Sequence, residues 1–405
     1  MATVSERWGP QPPVSSRVLL NVRRLLPLLV AAAAALAAAA PAAAQESRRV
    51  PPLFYGANWD GDVEKLATDQ VRWTQNGRMA ESGVETVRVS FEWARAQARK
   101  GAPFDHRVTD RIVLHAAAHG LDVMPVVILA PKWARRYDNV AHSPPKNVKD
   151  YVAYLRSLIR RYGPDGTFWL ANPTTPKLPI RFWQIWNEPH LQYQWSIPTG
   201  MDWAPGYGQL LRAAYRGVKA QDPGASVVLG GMTNRSWEAL DHLYRKGGGV
   251  RGSFDVAALH PYTSKADGVI TLLKRFRIVL KRFKDAKLPV WVTELGLPAS
   301  KGRFKNDSKL QTTDRGMAAF LERGYRLLSD QWRKSHGAQR VYWYNWASTY
   351  CCEQFRFTGL FGYDPYKQTF EEKPAYEKYV AAARRDEGCE KNSIAQCTGA
   401  VGAGR

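Results

Sequence analysis

Short apolar stretches alternate with helix-like segments eight times between residues 53 and 385. Each stretch has the length and the apolar content of a strand that is buried on both faces. Eight such strands separated by helices predict a closed parallel (β/α)8 barrel, a TIM barrel, in one domain. An open doubly wound sheet is the alternative, but Gly56-Ala57-Asn58-Trp59 is not the glycine-rich phosphate loop expected after its first strand. The predicted strands are residues 53–58, 84–91, 121–129, 180–186, 226–231, 254–262, 290–294 and 340–346, and the predicted helices are 63–79, 110–119, 148–162, 207–219, 237–245, 274–287, 310–329 and 374–384.

Two of these strands end in a glutamate. The fourth runs into Trp186-Asn187-Glu188-Pro189, where proline ends the strand because it cannot donate to a strand ladder. The seventh strand ends at Glu294. A glutamate after a strand is often only a first-turn helix residue that the helix dipole favours. Two of them in one repeating pattern instead favour a paired-carboxylate reaction, with glycoside hydrolysis as the leading case.

Further polar and aromatic residues stand at or near the ends of the predicted strands. The carboxyl ends of all strands meet on one face of such a barrel, so we expect these side chains to surround the two glutamates. The alternative for Arg88 is a structural salt bridge, because an arginine inside an apolar strand is costly to bury unless it is paired. The alternative for His260 is a hydrogen-bonded core histidine, and for the tryptophans it is packing. The candidate site residues are Glu188, Glu294, Arg88, Asn187, His260, Tyr262, Trp346, Asn58, Trp59 and Trp133.

These stretches resemble the retaining glycoside hydrolases of clan A, most closely families 5 and 39. The motifs that carry the resemblance follow the family order along nearly the whole domain. The Trp-Asn-Glu-Pro motif is specific, whereas the others are weak singly and strong together. The segment Ala130 to Ala134 lacks the histidine of many family 5 members, which is closer to family 39, and His190 stands where asparagine is common. The matching residues are 86–89 (Thr-Val-Arg-Val), 186–189 (Trp-Asn-Glu-Pro), 260–262 (His-Pro-Tyr), 293–294 (Thr-Glu) and 345–346 (Asn-Trp).

The resemblance implies double displacement at an O-glycosidic bond of a poly- or oligosaccharide, with Glu188 as acid/base and Glu294 as nucleophile. It implies no metal and no cofactor. A transglycosylase would share these residues, and a non-catalytic glycan-binding protein on a degenerate barrel is the alternative from another class. The carboxylate pair favours an enzyme, because a binding protein has no need of it. The further implied roles are Asn187 for the substrate's 2-hydroxyl, Arg88 and Tyr262 beside the nucleophile, His260 in the same network, and Trp346 as the floor of the subsite for the cleaved sugar.

The first 44 residues have the composition of a secretory signal peptide. Arg23 and Arg24 precede an apolar run over residues 25–40, and small residues end at Ala44. A membrane anchor is the alternative, but the run is short and rich in weakly apolar alanine. We therefore expect an exported, extracellular protein with no stable membrane span after cleavage. A short linker over 45–52 would precede the domain at 53–385, and a polar tail over 386–405 would follow it.

The chain is strongly basic, with a formal net charge of +22. Residues 1–44 hold four arginines and one glutamate, so +19 remains on the mature chain. This charge attracts anionic partners such as acidic glycans or cell-wall polymers. Nucleic acid would suit the charge equally well, but the sequence shows no recognisable nucleic-acid-binding module. We expect a carbohydrate substrate, with an anionic glycan or cell-wall polymer as one candidate, no nucleic-acid partner, and a monomer.

The four cysteines have no metal-ligand spacing. An exported protein can keep disulfides, and four cysteines allow three pairings. Cys351 and Cys352 are adjacent, so a bridge between them would be strained. We expect a bridge between Cys389 and Cys397, which would close a short loop in the polar tail.

Overall fold

Eight parallel strands form a nearly closed barrel, which confirms the predicted (β/α)8 architecture. The computed structural model describes residues 48–388 apart from 60, 138–139 and 306–307, and leaves out the side chains of 61 and 62. The strands are β1 (Tyr55–Asn58), β2 (Thr86–Glu92), β3 (Asp122–Ile128), β4 (Phe182–Ile185), β5 (Ser226–Val228), β6 (Ala257–Leu259), β7 (Val290–Leu295) and β8 (Arg340–Trp343). Their order in the sheet is β5-β4-β3-β2-β1-β8-β7-β6. Isolated parallel bridges, Val228 to Val256 and Met232 to Leu259, join the two edges beside β5 and β6.

Helices separate the strands along the chain, as predicted. The predicted helix over 63–79 is two helices in the structure, because the Thr68 hydroxyl accepts a hydrogen bond from the Val71 N–H and begins a new helix there. The predicted helix over 148–162 has the observed bounds, with Asn147 as its N-cap. The helices are α1 (Gly61–Leu66), α2 (Asp69–Glu81), α3 (Trp93–Ala96), α4 (Arg107–Ala118), α5 (Val148–Tyr162), α6 (Thr167–Ala171), α7 (Trp203–Gln221), α8 (Ser236–Lys246), α9 (Ala266–Arg282), α10 (Asp314–Gln331) and α11 (Pro374–Glu387).

A small second sheet follows the barrel. It contains β9 (Ala347–Ser348), β10 (Phe361–Asp364) and β11 (Thr369–Glu372), in the order β11-β10-β9. A short 3-10 helix, Gln354–Phe357, lies between β9 and β10. The sequence analysis missed this sheet, because strands of two to four residues carry too little alternation to be recognised.

A separate apolar cluster fills the barrel near the amino ends of its strands. The Arg340 guanidinium lies 4.1 Å from the ring centroids of both Phe182 and Trp291 and covers this cluster. Such a filled floor is expected of a small barrel, whose interior is packed rather than open. The buried members are Met124, Val228, Val256, Ala258, Trp291 and Tyr342.

Both ends of the described chain are bound to the barrel near the start of β1 and β2. The Tyr55 hydroxyl donates to Asp386, which is fully buried, at 2.6 Å. Arg48 pairs with Glu85, just before β2, at 3.0 Å. The ordered domain therefore takes in residues on both sides of the expected 53–385.

The expected signal peptide over 1–44 and the expected Cys389–Cys397 bridge lie outside the described residues. Within them, Cys351 and Cys352 are joined by a disulfide. None of the helices in the described range combines the length and apolar character that a membrane span requires.

Candidate active site

The chain leaves β4 through a sharp turn that places Glu188 in the mouth of the barrel. Trp186 and Glu188 have positive φ angles of 63° and 42°. Such angles are strained for residues with a side chain and persist where the surroundings fix them. Here the neighbouring strands do so, because the Glu188 N–H donates to Gly231 O at 3.0 Å and the Trp186 N–H donates to Val127 O at 3.1 Å.

The two glutamates meet around one histidine. An oxygen of Glu188, an oxygen of Glu294 and a ring nitrogen of His260 all lie within 4.8 Å of one another. A Cβ atom at Gly231 would overlap the His260 ring, so glycine is required for this approach. The two carboxylates predicted from the strand ends therefore share one site.

Arg88 is the centre of the network beneath the carboxylates. Its Nε donates to Gln184 at 2.7 Å, and one terminal nitrogen donates both to Asn58 at 2.6 Å and to Glu294 at 2.8 Å. The other terminal nitrogen donates to the Asn187 carbonyl oxygen at 2.7 Å. The burial of the guanidinium is thus offset by one charge pair and three further acceptors. Since Arg88 occupies the Asn187 oxygen, the amide N–H groups of Asn187 are left to donate to a ligand.

Glu294 lies in an environment that stabilises negative charge. One oxygen accepts from Arg88, and the other accepts from the Tyr262 hydroxyl at 2.7 Å. Burial and the neighbouring carboxylate raise the pKa of Tyr262 well above its ordinary value, so this hydroxyl keeps its proton. Two such donors align the carboxylate and stabilise negative charge on it, as a nucleophile requires.

Glu188 lies in a different environment. It is 6% exposed, and burial raises its pKa from 4.5 to about 8, although Arg88 acts in the opposite direction. His260 Nδ1 lies 2.7 Å from Glu188 Oε1, and its Nε2 lies 3.0 Å from the Thr293 hydroxyl. Burial lowers the pKa of His260 to about 3, so the ring is neutral. It is hydrogen-bonded to a Glu188 carboxyl group that is itself neutral. One carboxyl group of the pair is therefore buried and able to act as an acid near neutral pH, whereas the other is held by two donors that stabilise negative charge.

The group Glu188, His260 and Glu294 also has the composition of a metal site. Its ligand atoms, however, already have protein partners. Both nitrogens of His260 and both oxygens of Glu294 are hydrogen-bonded, and the Arg88 cation occupies the position beside Glu294. The arrangement fits acid–base and nucleophilic chemistry better than metal binding.

Two predicted aromatic contacts with substrate, those of Trp346 and Trp59, are corrected by the structure. Trp346 is fully buried and donates its indole N–H to Gln75 at 2.9 Å, so it cannot form the floor of a subsite. Tyr344, two residues earlier, lines the pocket instead. Trp59 is only 3% exposed and does not line the pocket. Trp133 is half-buried, packs edge-on against Trp93 at 5.4 Å and is absent from the pocket lining, and its contact with substrate stays a prediction.

The remaining predicted residues are brought together. Asn58 lies beneath the pocket, where it accepts from Arg88 and donates to two backbone carbonyls. The pocket has a volume of about 320 Å³. His190, which departs from the family pattern, does not line it and packs edge-on against Trp203. The predicted residues in the network or the pocket are Glu188, Glu294, Arg88, Asn187, His260, Tyr262 and Asn58.

Sequence reasoning missed several residues of the site. Gln184 has a detectable signal, since it is a buried polar residue within an apolar strand and binds Arg88. The other residues have no such signal, because they lie in loops or near the ends of helices and strands, and their positions at the barrel mouth depend on the tertiary structure. They are Lys65, Glu92, His142, Tyr193, Thr233, Asn234, Tyr344, Glu353 and Phe355.

Among solved structures, the chain is similar to a family 39 glycoside hydrolase from Bacteroides cellulosilyticus, with 18% identity, a TM-score of 0.60, and coverage of 84% of this chain and 64% of that one. It is similar to a GH1 β-glucosidase from Exiguobacterium antarcticum, with 13% identity, a TM-score of 0.57, and coverage of 84% and 99%. It is also similar to an exo-β-1,4-mannosidase from an Opitutaceae bacterium, with 17% identity, a TM-score of 0.54, and coverage of 82% and 59%.

The chain thus spans less than two thirds of the family 39 enzyme and of the mannosidase. No family model matches the sequence, and no curated protein matches it either. At these identities the similarity shows the fold, and it agrees with the (β/α)8 barrel predicted from the alternation of strands and helices.

Proposed function

We propose that this protein is a retaining glycoside hydrolase, with Glu188 as acid/base and Glu294 as nucleophile. The observation that carries the proposal is a pair of carboxyl groups with an oxygen of each within 4.8 Å, in opposite electrostatic environments. Retaining enzymes hold the two groups about 5–5.5 Å apart, whereas inverting enzymes need about 6.5–9.5 Å to admit a water molecule. The short separation supports direct attack by Glu294.

In the first step, neutral Glu188 gives its proton to the glycosidic oxygen while Glu294 forms a bond to the anomeric carbon. The leaving group departs as an alcohol, and a glycosyl-enzyme remains. In the second step, ionised Glu188 takes a proton from water, which attacks the anomeric carbon and releases Glu294. Arg88 and Tyr262 stabilise the carboxylate of Glu294 at the start and the end of the cycle.

The loss and regain of the Glu188 proton follow from the charge of Glu294. While Glu294 is ester-bonded to the sugar it carries no charge, so a negative charge on Glu188 no longer faces a second one. His260 is hydrogen-bonded to Glu188 and stays neutral, so it orients the carboxyl group without changing the total charge. Asn187, anchored by Arg88, is placed to donate to a hydroxyl of the bound sugar.

The named structural neighbours are a glycoside hydrolase, a glucosidase and a mannosidase, which supports a carbohydrate substrate. Because they differ in the sugar they cleave, they do not indicate which sugar this chain accepts. A transglycosylase would differ only in the acceptor that attacks the glycosyl-enzyme.

The test exploits the difference between the two roles. A Glu188→Ala variant should still form the glycosyl-enzyme from a dinitrophenyl glycoside, because that leaving group needs no proton donor. It should then stall, and azide should restore turnover with a glycosyl azide of the substrate's own anomeric configuration. A Glu294→Ala variant should give the azide of inverted configuration, by direct displacement. Product configuration is read by proton NMR.

Glu85→Gln is a matched control, since Glu85 is a buried carboxylate that binds Arg48 near the amino ends of the strands. This variant should have the wild-type kinetics in these assays. Losses of activity at Glu188 and Glu294 are then not a general effect of removing a buried acid. Full activity of Glu188→Ala on a poor leaving group, or inverted product from it with azide, would show that the roles are wrong.

We also propose that the protein is exported after cleavage at Ala44, on the basis of the basic, apolar and small-residue segments in its first 44 residues. The full-length chain expressed in a secreting host should appear in the medium with Gln45 as its first residue. Retention in the membrane fraction with an intact leader would favour an anchor instead.

A further inference from the structure

One wall of the pocket is built by alternate residues of β2. Arg88, Ser90 and Glu92 all line it, because side chains two apart on a strand point the same way. At about 3.3 Å per residue, Glu92 lies about 13 Å further along the strand than Arg88. Arg88 therefore holds Glu294 at the bottom of the pocket, and Glu92 stands near its mouth.

Glu92 is paired with a lysine that lines the same wall. The Lys65 ammonium lies 2.8 Å from a carboxylate oxygen of Glu92, and the side chains are 44% and 13% exposed. His142 also lines this wall, and burial lowers its pKa, so it adds a neutral ring at neutral pH. The mechanism uses none of these three residues.

The charges of the pocket are already matched. Among the described residues that line it, the only cationic side chains are Lys65 and Arg88, and each is bonded to a carboxylate, Glu92 or Glu294. A sugar carboxylate would find no unpaired cation here and would lie among several acidic groups. A sugar hydroxyl is matched by the pair, because it can donate to the Glu92 carboxylate and accept from the Lys65 ammonium.

We propose that the Lys65–Glu92 pair is a specificity element that binds hydroxyl groups of the substrate and restricts the pocket to neutral glycosyl units. The proposal rests on the proposed function and deepens it by naming the substrate class. It separates two effects of charge, since the basic surface attracts polyanions while the pocket itself rejects a uronic acid.

The experiment compares neutral aryl glycosides with the matching aryl uronides, in both anomers, on the wild type and two variants. The wild type should favour the neutral substrate. Glu92→Gln releases the Lys65 ammonium, so it should raise KM for the neutral substrate about tenfold and raise kcat/KM for the uronide about tenfold. Lys65→Met should raise KM for the neutral substrate by a similar factor. It should not raise kcat/KM for the uronide, because Glu92 then remains as an unpaired anion.

A binding measurement keeps this inference separate from the proposed function. Calorimetry on the Glu294→Gln protein, with methyl glycosides and methyl uronides as probes, should show the same preference and the same reversal on Glu92→Gln. If no substrate is turned over but this binding pattern holds, the hydrolase assignment fails and the specificity element stands. Lys378→Met is the control: Lys378 is as exposed as Lys65 and pairs with Glu322 outside the pocket, so this variant should change neither measurement.

If the Glu294→Gln protein, with Lys65 and Glu92 intact, binds the uronide more tightly than the neutral glycoside, the inference is overturned. An unchanged ratio of neutral to acidic ligand in Glu92→Gln would overturn it equally, because the pair would then have no part in selection.

Discussion

Replacing Arg88 with methionine tests the network beneath the carboxylates. The substitution keeps the apolar stem and removes a buried donor to four acceptors, Glu294, Asn58, Gln184 and Asn187. Breaking a buried ion pair from one side costs about 3–5 kcal/mol, mainly because the remaining charge loses its partner. The amide N–H groups of Asn58 and Gln184 keep their hydrogen bonds to backbone carbonyls, but their buried side-chain oxygens lose the Arg88 donor, so we expect the loss in free energy of unfolding at the upper end of that range.

Arg340→Met is the matched control, because Arg340 is also buried inside the barrel but lies over Phe182 and Trp291 at its floor. Urea unfolding should show both variants to be less stable than the wild type. Only Arg88→Met should also lose activity, by about 10²-fold or more in kcat/KM, since the transition state loses a buried electrostatic donor.

A double-mutant cycle gives the decisive number. The double variant Arg88→Met/Glu294→Gln has neither of the two buried charges. We therefore expect its loss in free energy of unfolding to be about 2 kcal/mol smaller than the sum of the losses in the two single variants. Additive losses in the cycle would refute the reasoning, as would equal losses of activity in Arg88→Met and Arg340→Met.

Four further outcomes are expected. Glu188 must be protonated to act as an acid, and its pKa is raised from 4.5 to about 8. For a substrate with a poor leaving group, kcat/KM should therefore fall above about pH 8. For a dinitrophenyl substrate, kcat/KM should show no such fall, because its leaving group needs no proton. Between pH 4.5 and about 8 the folded state binds one proton more than the unfolded state, so the free energy of unfolding should decrease as pH rises through that window. Urea unfolding at several pH values should show this decrease for the wild type and not for Glu188→Gln. Peptide mapping without reduction should find Cys389 linked to Cys397, and free thiols there would contradict the expected bridge. Tyr344→Ala should raise KM whereas Trp346→Phe should lower only stability, and the reverse pattern in paired kinetic and unfolding assays would return Trp346 to the site.

The fold and the centre of the site could be predicted from sequence because strong local signals carry them. A charged or polar residue inside an apolar strand must find a partner, and this reasoning places Arg88 beside Glu294. Proline after Glu188 marks the strand exit without any knowledge of the tertiary structure.

The pocket walls could not be predicted in the same way. The strand predicted over 340–346 ends at Trp343 in the structure, and the chain then turns so that Tyr344 faces the pocket while Trp346 faces the core. Tyr344 and Trp346 are two residues apart and would face the same side if the strand continued, so an error of a few residues in where it ends changes which aromatic ring meets the substrate. Lys65 lies in α1 and Glu92 is the last residue of β2. No local pattern in the sequence indicates that they form a pair.

The described chain enters and leaves the barrel on the face opposite the pocket. Arg48 is bound beside the start of β2 and Asp386 beside the start of β1, whereas the two catalytic candidates stand at the far ends of β4 and β7. A linker to a bead, a support or a second protein that is joined at Arg48 or Gly388 would therefore start on the face away from the pocket mouth. Molecules immobilised through such a linker would stand with their pocket mouths outward.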